Sequence, residues 1–405
     1  MVDLSVDFAG LKLKNPFIIA SSENVRDIRQ ILKAEKCGAA AVILKAMGPP
    51  GSELLDSKLR IFLDVKRKAV LGAGGSRWLS YDEAIELVHA AKKEADIKVG
   101  VNVPFPLYGD YGFVVEAVKK ATQAGADFIE INFKGLPIKS SASKKEKNDQ
   151  KSVLQNNAGE YGKYINDYLD RVSEGAGAIK RAVNVPVIGK IDPQKCDVVA
   201  SALAMQKGGA DAVDAANIAG GTFAIDIFNG GKLRVPATKK AIFMTIGAPY
   251  KPFAQGFVAR VAQAINVPIL GDGGLMDWQD VVEMIMFGAS AVSFCTLLLL
   301  QGFEAITNIE KNLRTFMEKQ GYSHIHDFKG LALSNISQDG SGEIIPSVAR
   351  IDKKKCTVCG ICLKPAHCLA TFMEIGKAKV NETECLGCGA CSLLCPAGAV
   401  SMVEI

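Results

Sequence analysis

The residues that most plainly could do chemistry are cysteines. Of eleven, eight lie near the C-terminal end, at positions 356, 359, 362, 368, 385, 388, 391 and 395, while Cys37, Cys196 and Cys295 are scattered through the rest. Met1 to Phe8 carries two Asp and no basic stretch, so no secretory leader is expected and a cytoplasmic location is. Thiols so placed read as metal ligands rather than a disulfide framework. The second run is Cys385-x₂-Cys388-x₂-Cys391-x₃-Cys395-Pro396, the spacing that wraps three thiolates round one face of a [4Fe–4S] cube. The fourth thiolate of each run reaches across to the other cluster. The first run is Cys356-x₂-Cys359-x₂-Cys362, with Cys368 following after five residues instead of three. One cluster should therefore use Cys356, Cys359, Cys362 and Cys395, and the other Cys385, Cys388, Cys391 and Cys368. Two zinc sites are the alternative. The triple-plus-one pattern is not zinc-finger spacing, however, and Gly360, Gly387 and Gly389 suit tight wrapping around sulfide.

Such a module moves single electrons and needs another part of the chain to handle substrate. Over residues 1–300, short Val- and Ile-rich runs recur at 16–21, 40–47, 98–103, 128–133, 185–191, 212–218, 267–271 and 291–297. Most lack polar alternation, as strands buried on both faces do. Gly-Ala pairs at 38, 125, 209 and 288 each precede a run, about two strand–helix units apart. Ser80 to Glu83 spells a capping box, and Asp192-Pro193 reads as another helix start. Eight strands alternating with helices over this length predict a (β/α)₈ barrel, against an open doubly wound sheet. The expected organisation is a barrel over 1–333, a polar linker over 334–349 and a small two-[4Fe–4S] ferredoxin-like domain over 350–405. No run of about 18 apolar residues suggests a membrane span. A net charge of +5 on 405 residues is too weak for a nucleic-acid binder.

Barrel sites are built at the C-terminal ends of the strands. Those ends offer Ala20 and Ser21, Lys45, Asn102, Asn132, Lys190, Asn217, Gly273 with Gly274, and Cys295 with Thr296. Gly271-Asp272-Gly273-Gly274 and Cys295-Thr296 would present backbone N–H groups and a hydroxyl to a phosphate. Lys45 and Lys190 converge from strands two and five. Two buried ammonium groups need a negative partner, which the N1/O2 edge of a reduced flavin would supply.

With these pieces the sequence resembles the dihydroorotate dehydrogenase superfamily. It is most similar to the FMN barrel and ferredoxin module of dihydropyrimidine dehydrogenases, through "NPFIIASS", "ILKA", "IEIN", "VIGKIDP", "AANIAGG", "GDGG" and the paired cysteine runs. The resemblance implies FMN held by Ala20, Ser21, Lys45, Lys190, Gly247, Gly273, Gly274, Cys295 and Thr296, with Asn102 beside them. Asn132 and Asn217 would face flavin and substrate. Two departures stand out. The family's Asn-x-Ser-Cys-Pro, whose Cys shuttles a substrate proton, is here Asn132-Phe133-Lys134-Gly135-Leu136-Pro137, and Ile218 replaces the usual hydroxyl residue. Lys134, or Ser140, Ser141 or Ser143, is the substitute proton donor to consider, so the expected catalytic set is Asn132, Lys134, Lys190 and Asn217. The Lys-rich stretch 134–157 reads either as a solvated loop or as a lid favouring an anionic substrate or a partner protein.

The expected function is a flavin-dependent dehydrogenase or reductase acting on CH–CH groups. Its substrate would be a pyrimidine-like or other conjugated small molecule, with the clusters passing electrons to or from a partner. No dinucleotide fingerprint opens a helix after a strand, so a separate flavoprotein subunit or a ferredoxin would supply electrons. The alternative is an electron-transfer subunit whose barrel turns over no substrate. A homodimer or hetero-oligomer is the expected assembly.

Overall fold

Short strands made of β-branched and small apolar residues alternate with amphipathic helices, and neither can bury its apolar surface without the other. The computed structural model describes residues 2–49, 60–64, 69–73, 78–107, 109–133, 158–217, 225–233, 243–337, 342 and 344–405. Eight strands close a parallel barrel: β1 (Phe17–Ile19), β2 (Ala41–Leu44), β3 (Lys98–Pro104), β4 (Phe128–Asn132), β5 (Val187–Lys190), β6 (Ala212–Asp214), β7 (Ile269–Gly271) and β8 (Ala291–Phe294). Each pairs with the next, and β8 returns to β1 with Val292 opposite Phe17. These are the eight runs expected from sequence.

The helices that bear on the site are α1 (Ile28–Lys36), α2 (Tyr81–Glu94), α3 (Gly112–Gln123), α4 (Ala158–Ala182), α5 (Val198–Lys207), α6 (Lys251–Ala262), α7 (Trp278–Met286), α8 (Thr296–Gln301) and α9 (Glu304–Gln320). Ser80 and Glu83 form the capping box of α2. The expected helix start at Asp192 is displaced. Residues 193–195 form a turn, and α5 begins at Val198 behind the N-cap Asp197, whose side chain accepts from the amides of Val199 and Ala200. A prolyl ring at position 193 suits that turn equally well. Cys196 accordingly sits before the helix rather than in it.

The barrel's two faces have separate cores. Outward residues such as Val42, Val99, Val101, Ile129, Val213 and Val292 pack against the helices. Inward residues Ile18, Ala41, Ile43, Phe128, Ile188, Ala212, Leu270 and Ala291 fill the barrel, and Phe8, Leu11 and Leu13 of an N-terminal hairpin join that cluster. Gly100 has no side chain because the Phe128 ring lies where its Cβ would be. Further along the strands, toward their C-terminal ends, the inward positions change to Asn102, Glu130, Lys190, Asp214 and Ser293, all buried. A polar layer thus caps an apolar one.

The chain divides into two compact units, Met1–Gln338 and Asp339–Ile405. In the second, β9 (Ser347–Ile351) pairs antiparallel with β12 (Val400–Glu404), and β10 (Thr371–Glu374) with β11 (Lys377–Val380). β9 occupies the last residues of the expected 334–349 linker, because its residues pair with the C-terminal strand. Among the described residues the buried apolar set of this unit is small: Val348, Ala349, Cys362, Ala370, Ala378, Cys391, Ala399 and Val400. Among the described residues no helix is long and apolar enough to cross a membrane.

Candidate active site

Lys190 ends β5 and stands opposite Asn132 on one side and Asp214 on the other. Its Nζ lies 2.5 Å from Asp214 Oδ2, 2.7 Å from Asp272 Oδ2 and 3.8 Å from Glu130 Oε1. Burial lowers the pKa of this ammonium. The three carboxylates outweigh it and hold the pKa well above that of a free lysine. The Asp214 carboxyl is raised as well. Burial, with Asp272 and Glu130 beside it, raises its carboxyl well above the ordinary range despite Lys190. Asn102 donates to Glu130 Oε2, leaving Asn102 Oδ1 and Glu130 Oε1 buried without a hydrogen-bond partner among the described residues. Asn102 is level with Glu130 and Ile188, two residues below Asn132, so it belongs to the layer beneath the rim.

These charges correct one expectation. Lys45 and Lys190 do not wait for an external anion. Lys45 Nζ lies 3.2 Å from Glu23 Oε1, and Lys190 has its carboxylates. The reason is the one first invoked, that a buried ammonium must be neutralised, but the chain itself supplies the partner. Glu23 is partly buried, which would raise its pKa. Lys45 and Arg26 overcome that and keep it below the usual range.

The rim carries the other expected residues. Asn217 donates to Asn132 Oδ1 at 3.0 Å, and Tyr250 Oη donates to the Asn217 carbonyl at 2.8 Å, so strands four and six are tied across the mouth. Ala20 N donates to the Phe294 carbonyl, and Asn24 Nδ2 reaches the Cys295 carbonyl at 3.3 Å, bringing the end of β1 to the start of α8. Burial pushes the Cys295 thiol up to about 11, with Asp272 adding to the shift. That thiol is a neutral packing group rather than a nucleophile. Thr296 is buried as the first residue of α8.

Gly273 and Gly274 have φ of 111° and 83°. A Cβ on Gly274 would stand 2.6 Å from the Gly247 carbonyl oxygen and 2.7 Å from Lys251 N, so Gly247, Gly274 and the start of α6 close on one another. The N–H groups of Gly273, Gly274 and Leu275 donate to no backbone carbonyl or side chain of the described residues. Gly274→Ala should cost about 2 kcal/mol or more, from left-handed backbone strain plus a clash with backbone that cannot swing aside. Gly10→Ala is the control, since Gly10 has φ of 85° and open space around it. Denaturant unfolding of both variants checks this: Gly274→Ala should lose clearly more.

Lys134, Ser140, Ser141, Ser143 and the whole stretch 134–157 lie outside the described residues, as does Ile218. Four carboxylate roles were missed: Glu23 beside Lys45, and Glu130, Asp214 and Asp272 around Lys190. Two left a signal. Glu130 interrupts "FIEIN" and Asp214 interrupts "AVDAAN", each an acid at an inward position of an otherwise apolar strand.

The thiols of the second unit gather into the two crossed sets. Cys368, Cys385, Cys388 and Cys391 line one cavity of about 240 Å³, with Pro365, His367, Leu369 and Leu386 among its other walls. Cys356, Cys359, Cys362 and Cys395 line a second, tighter one. Among the described residues no three His, Cys, Asp or Glu side chains close to the geometry of a single ion. The sulfurs stand around a space instead of meeting at a point. Ala399 N donates to Cys395 Sγ at 3.2 Å and Ala349 N to Cys385 Sγ at 3.4 Å.

The sequence profile of the dihydroorotate dehydrogenase family matches residues 3–317. The chain belongs to that family. A 4Fe-4S binding domain profile matches residues 378–401, which covers the second cysteine run. Family membership and this segment make the protein a flavin-dependent, iron–sulfur oxidoreductase with a TIM-type barrel. Relatives of two kinds are similar to it. The catalytic subunit of dihydroorotate dehydrogenase B (NAD(+)) from Methanosarcina mazei is 30% identical, over 81% of this chain and 95% of its own length. That from Thermococcus kodakarensis is 27% identical, over 82% and 98%. The NAD-dependent dihydropyrimidine dehydrogenase subunit PreA of Escherichia coli K12 is 25% identical, but over 100% of this chain and 96% of its own.

Proposed function

We propose that the protein interconverts a dihydropyrimidine-like compound and its unsaturated form on an FMN held at the barrel mouth. Two [4Fe–4S] clusters would carry the electrons to or from a partner flavoprotein subunit or ferredoxin. The observation that carries this reading is the combination, in one chain, of the family's barrel and two crossed sets of four thiols around separate cavities. The full-length likeness to a dihydropyrimidine dehydrogenase subunit favours that substrate class over dihydroorotate.

The donor set fits the cofactor. The backbone N–H groups of 273–275, which have no acceptor among the described residues, and the buried Thr296 would hold the phosphate. Lys45, Asn132, Lys190 and Asn217 would take the polar edges of the ring system and the substrate. FMN, when bound, supplies two-electron exchange with the carbon pair and one-electron exchange with iron–sulfur centres. The chain's own part is positioning. The Asn217–Asn132 bond fixes two amides side by side, and Tyr250 fixes the Asn217 backbone.

The test is anaerobic addition of a dihydropyrimidine, and separately dihydroorotate, to the oxidised full-length protein. The flavin band should bleach with the dihydropyrimidine and respond at least tenfold less to dihydroorotate at equal concentration. A flavin that responds to neither compound nor to their oxidised forms would favour the pure relay reading.

A further inference from the structure

The five-residue spacer between Cys362 and Cys368 is the one feature of the cysteine runs that the reading above leaves without a use. The corresponding segment of the second run, Ser392 to Leu394, is three residues long and lies in a short helical turn. The longer segment, Leu363 to His367, instead puts Pro365 and His367 on the wall of the cavity ringed by Cys368, Cys385, Cys388 and Cys391. There His367 Nε2 lies 3.3 Å from Cys388 Sγ.

The direction of that hydrogen bond follows from chemistry. A cluster-bound thiolate has no proton and can only accept, so the imidazole must donate through Nε2–H. Both thiol sets receive backbone N–H groups, Ala399 to Cys395 in one and Ala349 to Cys385 in the other, and further backbone groups at 397–400 bear on Cys395 and at 370–371 on Cys368. Thr371 Oγ1 stands 3.7 Å from Cys368 Sγ, but its proton goes to the Cys362 carbonyl at 3.0 Å. Among the described residues, His367 is thus the one side-chain donor that distinguishes the sets.

We propose that His367 is a tuning residue that raises the reduction potential of the cluster at Cys368, Cys385, Cys388 and Cys391 above that of its neighbour, so that this cluster is reduced first. Reduction adds one negative charge to the cluster and its sulfurs. A hydrogen bond to a sulfur strengthens with that charge and so stabilises the reduced form. The proposal rests on the two-cluster reading.

The experiment is an anaerobic redox titration of the full-length holoprotein, followed by electron paramagnetic resonance of the reduced clusters, with iron counted in every sample. The wild type should hold about eight irons and show two resolved waves. His367→Leu should lower the upper wave, cutting the reduced-to-oxidised ratio of that cluster roughly tenfold at a fixed potential, and leave the lower wave in place. His367→Gln keeps a weaker N–H donor and should shift the upper wave the same way by less. Should His367→Leu lose iron, the Gln variant decides alone, since an absent or upward shift in it overturns the proposal. About eight irons with an unmoved upper wave in His367→Leu overturns the proposal and spares the two-cluster reading. About four irons in the wild type overturns that reading and the proposal with it.

Discussion

Lys190→Met should be among the most damaging single substitutions in the barrel, destabilising it by about 3–5 kcal/mol near neutral pH. The side chain is 8% exposed and its Nζ is the cation beside three carboxylates, Asp214, Asp272 and Glu130. Met keeps the volume and removes the charge. What remains is a cluster of acids in a low-dielectric space, which must take up protons or separate. The sign of the pH dependence follows. Asp214 already has a carboxyl pKa raised by burial, and losing Lys190 raises it further. A carboxyl whose pKa is raised on folding supports the fold below its unfolded value and withdraws that support as pH climbs through the folded value. The variant should therefore be closest to wild type in mild acid and fall away toward alkaline pH. Urea unfolding at several pH values measures this. Adding Asp214→Leu to Lys190→Met should recover part of the loss, because it removes one uncompensated acid. A pH-independent loss, or none, would mean that Lys190 does not hold the acid layer together.

Iron removal should unfold the Asp339–Ile405 unit while sparing the barrel. Among the described residues, that unit buries only eight apolar side chains, Val348, Ala349, Cys362, Ala370, Ala378, Cys391, Ala399 and Val400, all small or medium and two of them ligand candidates. Large apolar side chains, Leu369, Ile375, Leu386 and Leu393, are exposed instead. A segment of this size with so little apolar burial depends on a metal centre for its fold, and cluster binding energy is then folding energy. Oxidative chelation of the full-length protein, followed by limited proteolysis and mass spectrometry, should show residues 345–405 digested at least tenfold faster than in the holoprotein. The core around Val42, Val99 and Val292 should remain protected. Equal protection before and after iron loss would contradict the argument.

How much was legible in the sequence follows from the kind of signal each element leaves. The barrel strands were readable because residues such as Val42, Ile129 and Val292 sit in runs apolar on both faces, which a strand buried between helices and barrel lumen requires. The thiol sets were readable because ligand spacing is local, and the crossed partners Cys368 and Cys395 follow from cluster geometry. The acid layer was not, because Asp214 at the end of β6 and Asp272 just after β7 meet Lys190 only through the pairing register of successive strands. Nor was Glu23 as the partner of Lys45. The start of α5 is expected at Asp192 but is capped by Asp197, since an Asp-Pro pair opens turns and helices alike. The spacer that brings His367 to Cys388 was visible as a departure, but its use needed the fold.

The most direct test of the central claim is the cofactor content of the full-length protein purified without oxygen. One FMN, about eight irons and about eight acid-labile sulfides per chain are the expected result, the content of a flavin barrel joined to two four-iron clusters. Zinc in place of iron, about four irons, or a chain that retains no flavin would contradict it.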